Sequence, residues 1–149
     1  MRVVIQRVSR AQVISNGILT GKIGKGLMIL LGIQPEDTEK DIAWLINKIT
    51  QMRIFSDEND KMNLSVKDIQ GEILVVSQFT LYASTKKGNR PGFTRAATPS
   101  IAIPLYETFL KELKQSGINV QSGIFGADMK IDLTNDGPVT IVMDSLSPE

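Results

Sequence analysis

The alternation of apolar and polar residues predicts a series of strands in the first third of the chain. Runs rich in Val and Ile predict strands over Met1–Ser9, Ala11–Ser15, Ile18–Ile23 and Leu27–Ile33. Asn16-Gly17 separates two of these runs, and this dipeptide favours the type I′ turn of a tight hairpin. The run Leu27–Ile33 is almost wholly apolar, which is typical of a strand buried on both faces.

Apolar residues at helical spacing predict two helices. The first covers Asp37–Met52 and has acidic residues in its first turn, where the helix dipole favours them. The second covers Pro99–Gln115, and Ser100 would be its N-cap if Ile101 is the first helical residue. Further strands are predicted over Glu72–Leu81, Ile118–Ser122, Met129–Thr134 and Val139–Asp144, and polar loops over Ser56–Lys61 and Ser84–Pro91. The order of elements indicates an α+β fold with a curved, largely antiparallel sheet covered by two helices.

Composition narrows the possible chemistry. A chain of 149 residues has the size of one domain, which we expect to span residues 1–149. The sequence contains no Cys and no His, which excludes thiolate nucleophiles, Ser-His-Asp triads and His- or Cys-based metal sites within one chain. We therefore expect neither a metal nor another cofactor. Catalysis would have to come from carboxylates, hydroxyls, lysines, backbone groups or the substrate.

The sequence shows no targeting signal. The N-terminus has no apolar run of the length that a signal peptide needs, and the longest apolar stretch, Gly26–Ile33, is too short to span a bilayer. We expect a cytoplasmic protein that does not associate with membranes.

Basic residues are concentrated in two acid-free stretches, although the formal net charge is only +1. Residues 1–35 contain five basic residues and residues 73–106 contain four, which are Lys86, Lys87, Arg90 and Arg95. Two such stretches in a nearly neutral protein can form one basic face that binds phosphates. The alternative is that these are ordinary solvated loops.

Three segments contain residues that could carry chemistry. Ser77-Gln78-Phe79-Thr80 places two hydroxyls and an amide at the end of a buried strand, where unpaired polar groups are costly. Residues 88–93 (GNRPGF) form a basic loop rich in Gly and Pro, and Asn135-Asp136-Gly137-Pro138 lies between two predicted strands. Taken singly, the three segments fit strand-end capping, an ordinary turn and a hairpin turn.

Taken together, the motifs SQFTLYA, GNRPGFTRAA and NDGPVTIVMDS occur in an order that resembles the D-aminoacyl-tRNA deacylases. The N-terminal MRVVIQRVSRAQV and the run GKIGKGLMILLGI resemble the same family, so the likeness extends over the whole chain. One departure is Gly92, where the family more usually has serine.

The resemblance implies an enzyme that hydrolyses the ester between a D-amino acid, or mischarged glycine, and the 3′ adenosine of tRNA. It implies a barrel-like fold and a homodimer with the active site at the dimer interface. Residues Ser77, Gln78, Phe79 and Thr80 would supply the pocket. Gly137-Pro138, with its peptide bond cis, would enter the pocket of the other subunit, and Arg7 would hold that motif. The sequence alone leaves the cis or trans state open.

Such a main-chain motif explains how handedness can be read without regard to the side chain. Carbonyl oxygens close to the substrate Cα leave room for a hydrogen atom on that side of the Cα. They collide with any larger group there. Excluding L-amino acids 10⁴-fold needs about 5.5 kcal/mol, whereas packing one methyl group differently supplies only about 1–3 kcal/mol. Gly137 has no Cβ and lets the backbone approach closely.

The absence of histidine is compatible with this chemistry because an aminoacyl ester is already activated. Water would attack with help from the ribose 2′-hydroxyl, and backbone N–H groups near Phe79 and Thr80 would stabilise the oxyanion. Thr80 as a covalent nucleophile is the rival mechanism. Lys86, Lys87, Arg90 and Arg95 are the candidates for phosphate contacts on the tRNA.

Three other interpretations stay open at this point. One is a non-catalytic RNA- or DNA-binding module that uses the same basic loops. Another is a related deacylase with a trans Gly-Pro bond and a wider pocket, and the last is a purely structural dimerisation domain.

Overall fold

The Val- and Ile-rich N-terminus forms one continuous strand that pairs with three others, so the prediction of two strands, Met1–Ser9 and Ala11–Ser15, is wrong. The computed structural model describes residues 1–149, and its strands are β1 (Arg2–Ser15), β2 (Ile18–Ile23), β3 (Gly26–Gly32), β4 (Phe55–Ser56), β5 (Met62–Leu64), β6 (Glu72–Ser77), β7 (Asn119–Ser122) and β8 (Met129–Asp144). The helices are α1 (Glu39–Gln51) and α2 (Pro99–Gln115), and a 3₁₀ turn covers Phe79–Tyr82. Neither α-helix has the length and apolar character that crossing a bilayer requires.

Strand β1 organises the main sheet. Its first half pairs with β3, its second half pairs with β2, and β8 pairs along its other edge, all antiparallel. Strands β6 and β7 extend the sheet beyond β3 through parallel pairings. The expected α+β fold, with a barrel-like sheet and two helices, is therefore confirmed, and the parallel pairings make the sheet mixed.

The central strands are buried on both faces. On one face, Ile5, Ile29 and Val75 pack with the apolar sides of α1 and α2 in the larger core. On the opposite face, Met28 and Leu74 pack with the second half of β1 in a smaller core. The sheet curls to enclose this second core, so a Cβ added to Gly21 of β2 would lie 3.2 Å from the Ser122 carbonyl oxygen of β7.

Both helices begin at positions set by their capping residues. The first starts at Glu39, two residues later than predicted, because Thr38 is its N-cap and donates from its N–H and its hydroxyl to the Asp41 carboxylate. Asp37 precedes the cap, and its carboxylate accepts a hydrogen bond from the Gln34 N–H. The second starts at Pro99, as predicted, and its N-cap is Thr98. Because Ile101 is not the first helical residue, Ser100 is not the cap. Proline fits the first helical position because its missing N–H would have no partner there.

Two other predicted elements differ from the structure. The polar segment Ser56–Lys61 joins two very short strands, β4 and β5, which are too brief to show a periodic pattern. The predicted strand Glu72–Leu81 ends at Ser77, where the chain turns into the 3₁₀ segment.

Strand β8 runs through the segment that was predicted to separate two strands. Both halves pair with β1 in the same direction, so a hairpin turn at Gly137-Pro138 is wrong. Between the pairs Val8–Asn135 and Gln6–Thr140, five residue steps on β8 oppose two on β1. The additional residues form a bulge that projects from the sheet edge.

We expect the replacement Gly26→Ala to destabilise the protein strongly. Its Cβ would lie 1.8 Å from the Glu72 carbonyl oxygen, so β3 and β6 would have to separate locally. The free energy of unfolding should fall by about 3 kcal/mol or more, which is at the upper end for overpacking. Urea unfolding measures this change. Gly24→Ala is the matched control because its Cβ meets only the Glu72 carboxylate, at 3.5 Å. Equal stability of the two variants would contradict the close strand approach.

Candidate functional site

The predicted catalytic segment lies where β6 leaves the sheet. The Gln78 N–H donates to the Leu31 carbonyl oxygen at 2.8 Å, as the last backbone bond from this segment to β3. The chain then turns, so Ser77 and Gln78 are half-buried while Phe79 and Thr80 are exposed. A polar segment at the end of a buried strand is thus brought to the surface.

A cavity of about 270 Å³ opens beside this turn. Ser77, Gln78 and Phe79 line one side of it, and apolar residues form most of the remainder. Thr80 is not among the lining residues. The lining contains no Asp, Glu, Lys or Arg side chain, so the chain places no charged acid or base in the cavity.

Two backbone donors at the start of the turn are free. The N–H groups of Phe79 and Thr80 have no acceptor in the protein, whereas those of Gln78 and Leu81 are bonded. The first N–H groups of a helical turn have no partner within that turn. Two adjacent free donors beside a cavity can stabilise a developing negative charge on a bound oxygen.

The Gln78 side chain determines the environment of the Thr80 hydroxyl. The Gln78 amide nitrogen donates a hydrogen bond to the Thr80 Oγ1. An amide nitrogen is a donor and cannot remove the hydroxyl proton. The contact therefore orients Thr80 without activating it as a nucleophile.

The opposite wall of the cavity was not predicted from the sequence. This wall comes from Phe125, Ala127 and Met129, in the loop before β8 and at the start of that strand. The Phe125 ring packs against Tyr106 of α2 at a centroid distance of 5.7 Å. An aromatic residue between two glycines, Gly123 and Gly126, was the available signal, but nothing in the local pattern links it to β6.

The bulge containing Gly137-Pro138 is exposed and held from below by Arg7. The peptide bond between the two residues is cis. Arg7 donates through Nε to the Asp136 carbonyl oxygen at 3.0 Å and through Nη1 to the Ile54 carbonyl oxygen at 2.6 Å. The Arg7 side chain is only 11% exposed, so these bonds are largely shielded from water.

Asn135, the first residue of the NDGP motif, had no predicted role, and it closes the bulge from the other side. Its amide donates to the carbonyl oxygens of Arg7 and Val139, each at 3.0 Å. Gly137 has φ 132°, and a Cβ there would lie 2.9 Å from the Arg7 Nη2. The bulge is thus a pinned main-chain segment that requires glycine at this position.

Within one chain, the two predicted halves of the site do not meet in the cavity. Gly137, Pro138 and Arg7 are absent from its lining. The structure brings together Ser77, Gln78 and Phe79 at the cavity, and separately brings Arg7 to Gly137-Pro138.

The four predicted phosphate-binding cations lie on and beside a closed loop. Ser84 and Gly92 exchange two backbone hydrogen bonds of 2.8 and 2.9 Å, which close the loop carrying Lys86, Lys87 and Arg90. Arg95 follows the loop in the chain, and all four side chains are exposed. None of them takes part in an ion pair within the protein.

Tyr82 ends the 3₁₀ turn and is fully buried. Its hydroxyl has no hydrogen-bond partner, and burial is the main reason that the pKa of this phenol is raised. The residue therefore stays neutral and supplies a rigid aromatic surface under the turn.

The carboxylates of the protein form no cluster of three or more suited to a metal ion.

Comparison with known proteins identifies the family of the chain. A sequence model of the family described as D-Tyr-tRNA(Tyr) deacylase matches residues 4–144. D-aminoacyl-tRNA deacylases from Flavobacterium johnsoniae and Akkermansia muciniphila are 62% and 61% identical, with full coverage of both chains in each case. The solved structure of a protein named c-Myc DNA Unwinding Element Binding Protein is 42% identical, with a TM-score of 0.91 and full coverage of both chains. The chain belongs to the D-Tyr-tRNA(Tyr) deacylase family.

Proposed function

We propose that this protein hydrolyses the ester bond between a D-amino acid and the 3′-terminal adenosine of tRNA, and so acts in chiral proofreading during translation. The observation that carries the proposal is the cavity at the end of β6, which has no ionisable side chain in its lining and two free backbone donors in the turn beside it. Such a site binds and orients a substrate that is already reactive. Residues 1–149 act as one domain in this proposal, in the cytoplasm.

The chemistry uses the backbone and the substrate. Water attacks the ester carbonyl carbon, and the N–H groups of Phe79 and Thr80 stabilise the oxyanion that develops. The neighbouring ribose 2′-hydroxyl assists, because the cavity lining offers no charged base. The ester bond then breaks, and the terminal ribose leaves with a hydroxyl group. Thr80 contributes through its N–H, because the Gln78 amide contact leaves its hydroxyl unactivated.

The apolar wall of the cavity suits the flat terminal base. Phe125 and Met129 offer an aromatic face and a polarisable thioether, which favour contact with a purine ring. The ester of the same nucleoside then lies towards Ser77 and the free N–H groups.

Handedness is read by Gly137-Pro138 of a second subunit. Arg7 and Asn135 pin the two ends of this bulge, so its main chain cannot yield to a bulky group. Where this main chain faces the substrate Cα, it leaves room for a hydrogen atom but not for a side chain. D-amino acids and glycine both present hydrogen on that side, so glycine mischarged on tRNA(Ala) is also a substrate in this proposal.

An open row of apolar side chains supports a homodimer. Val142, Val4 and Leu30 are neighbours across three strands and face the same side of the sheet. Val142 is 63% exposed, and Val4 and Leu30 are only half-buried. A second copy covering this row would remove apolar surface from water. The row includes Val142 of β8, the strand that carries the bulge. The same packing can therefore bring Gly137-Pro138 to the cavity of the second copy.

The closed basic loop provides affinity for the tRNA. Lys86, Lys87, Arg90 and Arg95 are exposed and unpaired, so they are available for phosphate groups of the acceptor end. Such contacts position the RNA without reading its sequence.

Nucleic-acid binding without catalysis is the second candidate, because a solved relative at 42% identity is named after DNA binding. This role uses the basic loop but gives no function to the cavity or to the pinned bulge. Hydrolysis of D-aminoacyl-tRNA distinguishes the two functions.

We expect the protein to cleave D-Tyr-tRNA and to leave L-Tyr-tRNA intact. A 10⁴-fold difference corresponds to about 5.5 kcal/mol, which a clash with pinned main chain can supply. Gly137→Ala displaces Arg7, and this change should lower both the D-Tyr-tRNA rate and the D/L ratio. Release of labelled tyrosine measures both quantities. Gly24→Ala is the control and should retain both. Equal cleavage of the two esters by the unaltered protein would contradict the proposal.

We expect hydrolysis to depend on the ribose 2′-hydroxyl more than on the Thr80 hydroxyl. A substrate ending in 2′-deoxyadenosine should react roughly a hundredfold or more slowly, which is typical for loss of an assisting proton-transfer group. Thr80→Ala should keep most of the activity. Single-turnover rates, corrected for spontaneous ester hydrolysis, measure both effects. Undiminished cleavage of the deoxy substrate would rule out substrate assistance, and loss of all turnover in Thr80→Ala with binding intact would favour the covalent route.

We expect a double variant, Lys86→Ala with Lys87→Ala, to bind tRNA more weakly and with less salt dependence. Each lost phosphate contact should reduce the slope of log K against log salt by roughly 0.7–0.9. Fluorescence anisotropy of labelled tRNA over a series of KCl concentrations measures this slope. The control is Lys111→Ala with Lys114→Ala, which removes two exposed lysines from α2. An unchanged slope in the first variant would remove the loop from the RNA-binding surface.

A further inference from the structure

Two guanidinium groups lie over the ring of Tyr82, at the end of the 3₁₀ turn. The Arg2 Cζ is 4.9 Å and the Arg95 Cζ is 5.8 Å from the ring centroid. Because Tyr82 is fully buried, its ring is a fixed surface. A guanidinium group that stacks on an aromatic face is held in a defined plane.

The two arginines differ in what their N–H groups do. Arg2 donates to the Asp144 carboxylate and to the Leu81 carbonyl oxygen, so most of its donors are used within the protein. Arg95 is exposed, donates no hydrogen bond and has no carboxylate within ion-pair distance. Arg95 is therefore a cation that lies beside a buried aromatic ring and whose donors are free.

The segment around Arg95 is anchored at the cavity. Ala97 lines the cavity, and its N–H donates to the Ile33 carbonyl oxygen at 2.9 Å. Phe93 contacts Phe79 edge-on at a centroid distance of 5.1 Å, and Phe79 also lines the cavity. Arg95 lies between these two anchors in the chain, so its backbone is fixed close to the cavity. Lys86, Lys87 and Arg90 have no comparable aromatic contact.

We propose that Arg95 binds the last internucleotide phosphate of the substrate and thereby positions the terminal nucleotide, and its ester, in the cavity. The planar guanidinium fork matches two phosphate oxygens, which an ammonium group cannot do in the same way. In a nucleic acid held by its 3′ end, this phosphate is the anion nearest the reacting ester. The inference rests on the proposed function and distinguishes Arg95 from the loop cations, which add affinity along the rest of the RNA.

Three D-tyrosyl esters test the assignment. These are the esters of adenosine, which has no phosphate, of the dinucleotide CpA, which has one internucleotide phosphate, and of full-length tRNA. The unaltered protein should cleave the CpA ester with a higher kcat/KM than the adenosine ester. Arg95→Ala should lower kcat/KM for the CpA ester roughly 10- to 100-fold, as expected for a lost hydrogen bond to a charged group. Its rate on the adenosine ester should stay within about twofold, given the usual small effect of surface changes.

Further variants separate positioning from charge and from folding. Arg95→Lys keeps the charge but not the fork, and should recover only part of the CpA rate. On full-length tRNA at saturating concentration, Arg95→Ala should still reduce kcat, since the loop cations hold the RNA but do not align its end. Arg10→Ala removes another exposed arginine, one paired with Asp132, and is the control that should leave all three esters unaffected.

The possible results have distinct meanings. An equal loss on the adenosine and CpA esters, or no loss on either, overturns the assignment of Arg95 to the phosphate. Failure of the unaltered protein to cleave any of the three esters overturns the proposed function itself. Urea unfolding of Arg95→Ala should match that of the unaltered protein, and a large loss of stability would assign the residue to the fold instead.

Discussion

The guanidinium of Arg7 is the constraint on which the arrangement of the proposed site depends. It is nearly buried, and it bridges main-chain oxygens of Asp136 and Ile54. Hydrogen bonds from a charged donor are worth roughly 1.5–3 kcal/mol each, so the bulge after Asn135 is fixed to the protein body. The segment can therefore act as a rigid surface. Gly137 is required because a Cβ would occupy the space of this same guanidinium.

The sequence predicted the elements whose pattern is long and regular. The Val- and Ile-rich strands and the helix from Pro99 were found because the side chains that face the core repeat at the expected period. The Asn16-Gly17 turn was found because both residues readily adopt the positive φ that this turn requires. The predictions were wrong where tertiary contacts override the local sequence pattern. Strand β8 was divided in two because Gly and Pro usually end a strand, whereas here β1 continues its pairing on both sides of the bulge.

The sequence located some residues of the candidate site but not others. Ser77–Phe79 could be located because polar residues followed a buried strand, and the structure places them at the cavity. Phe125 and Met129 could not be located from the sequence, because only the curl of the sheet brings the loop before β8 opposite β6. The role of Asn135 was not predicted, because this residue bonds main-chain oxygens across a bulge, which residue type and spacing do not reveal. The assignment of Gly137-Pro138 came from the family resemblance, and its use across subunits is a proposal.

A crystal structure with an amide-linked D-tyrosyl-adenosine mimic tests this arrangement most directly. The account predicts that the carbonyl oxygens at Gly137-Pro138 of one subunit lie within about 4 Å of the mimic's Cα, while the carbonyl of the mimic faces the N–H groups of Phe79 and Thr80 in the other subunit. A mimic bound in the cavity with this dipeptide turned away, or supplied by the same chain, would contradict it.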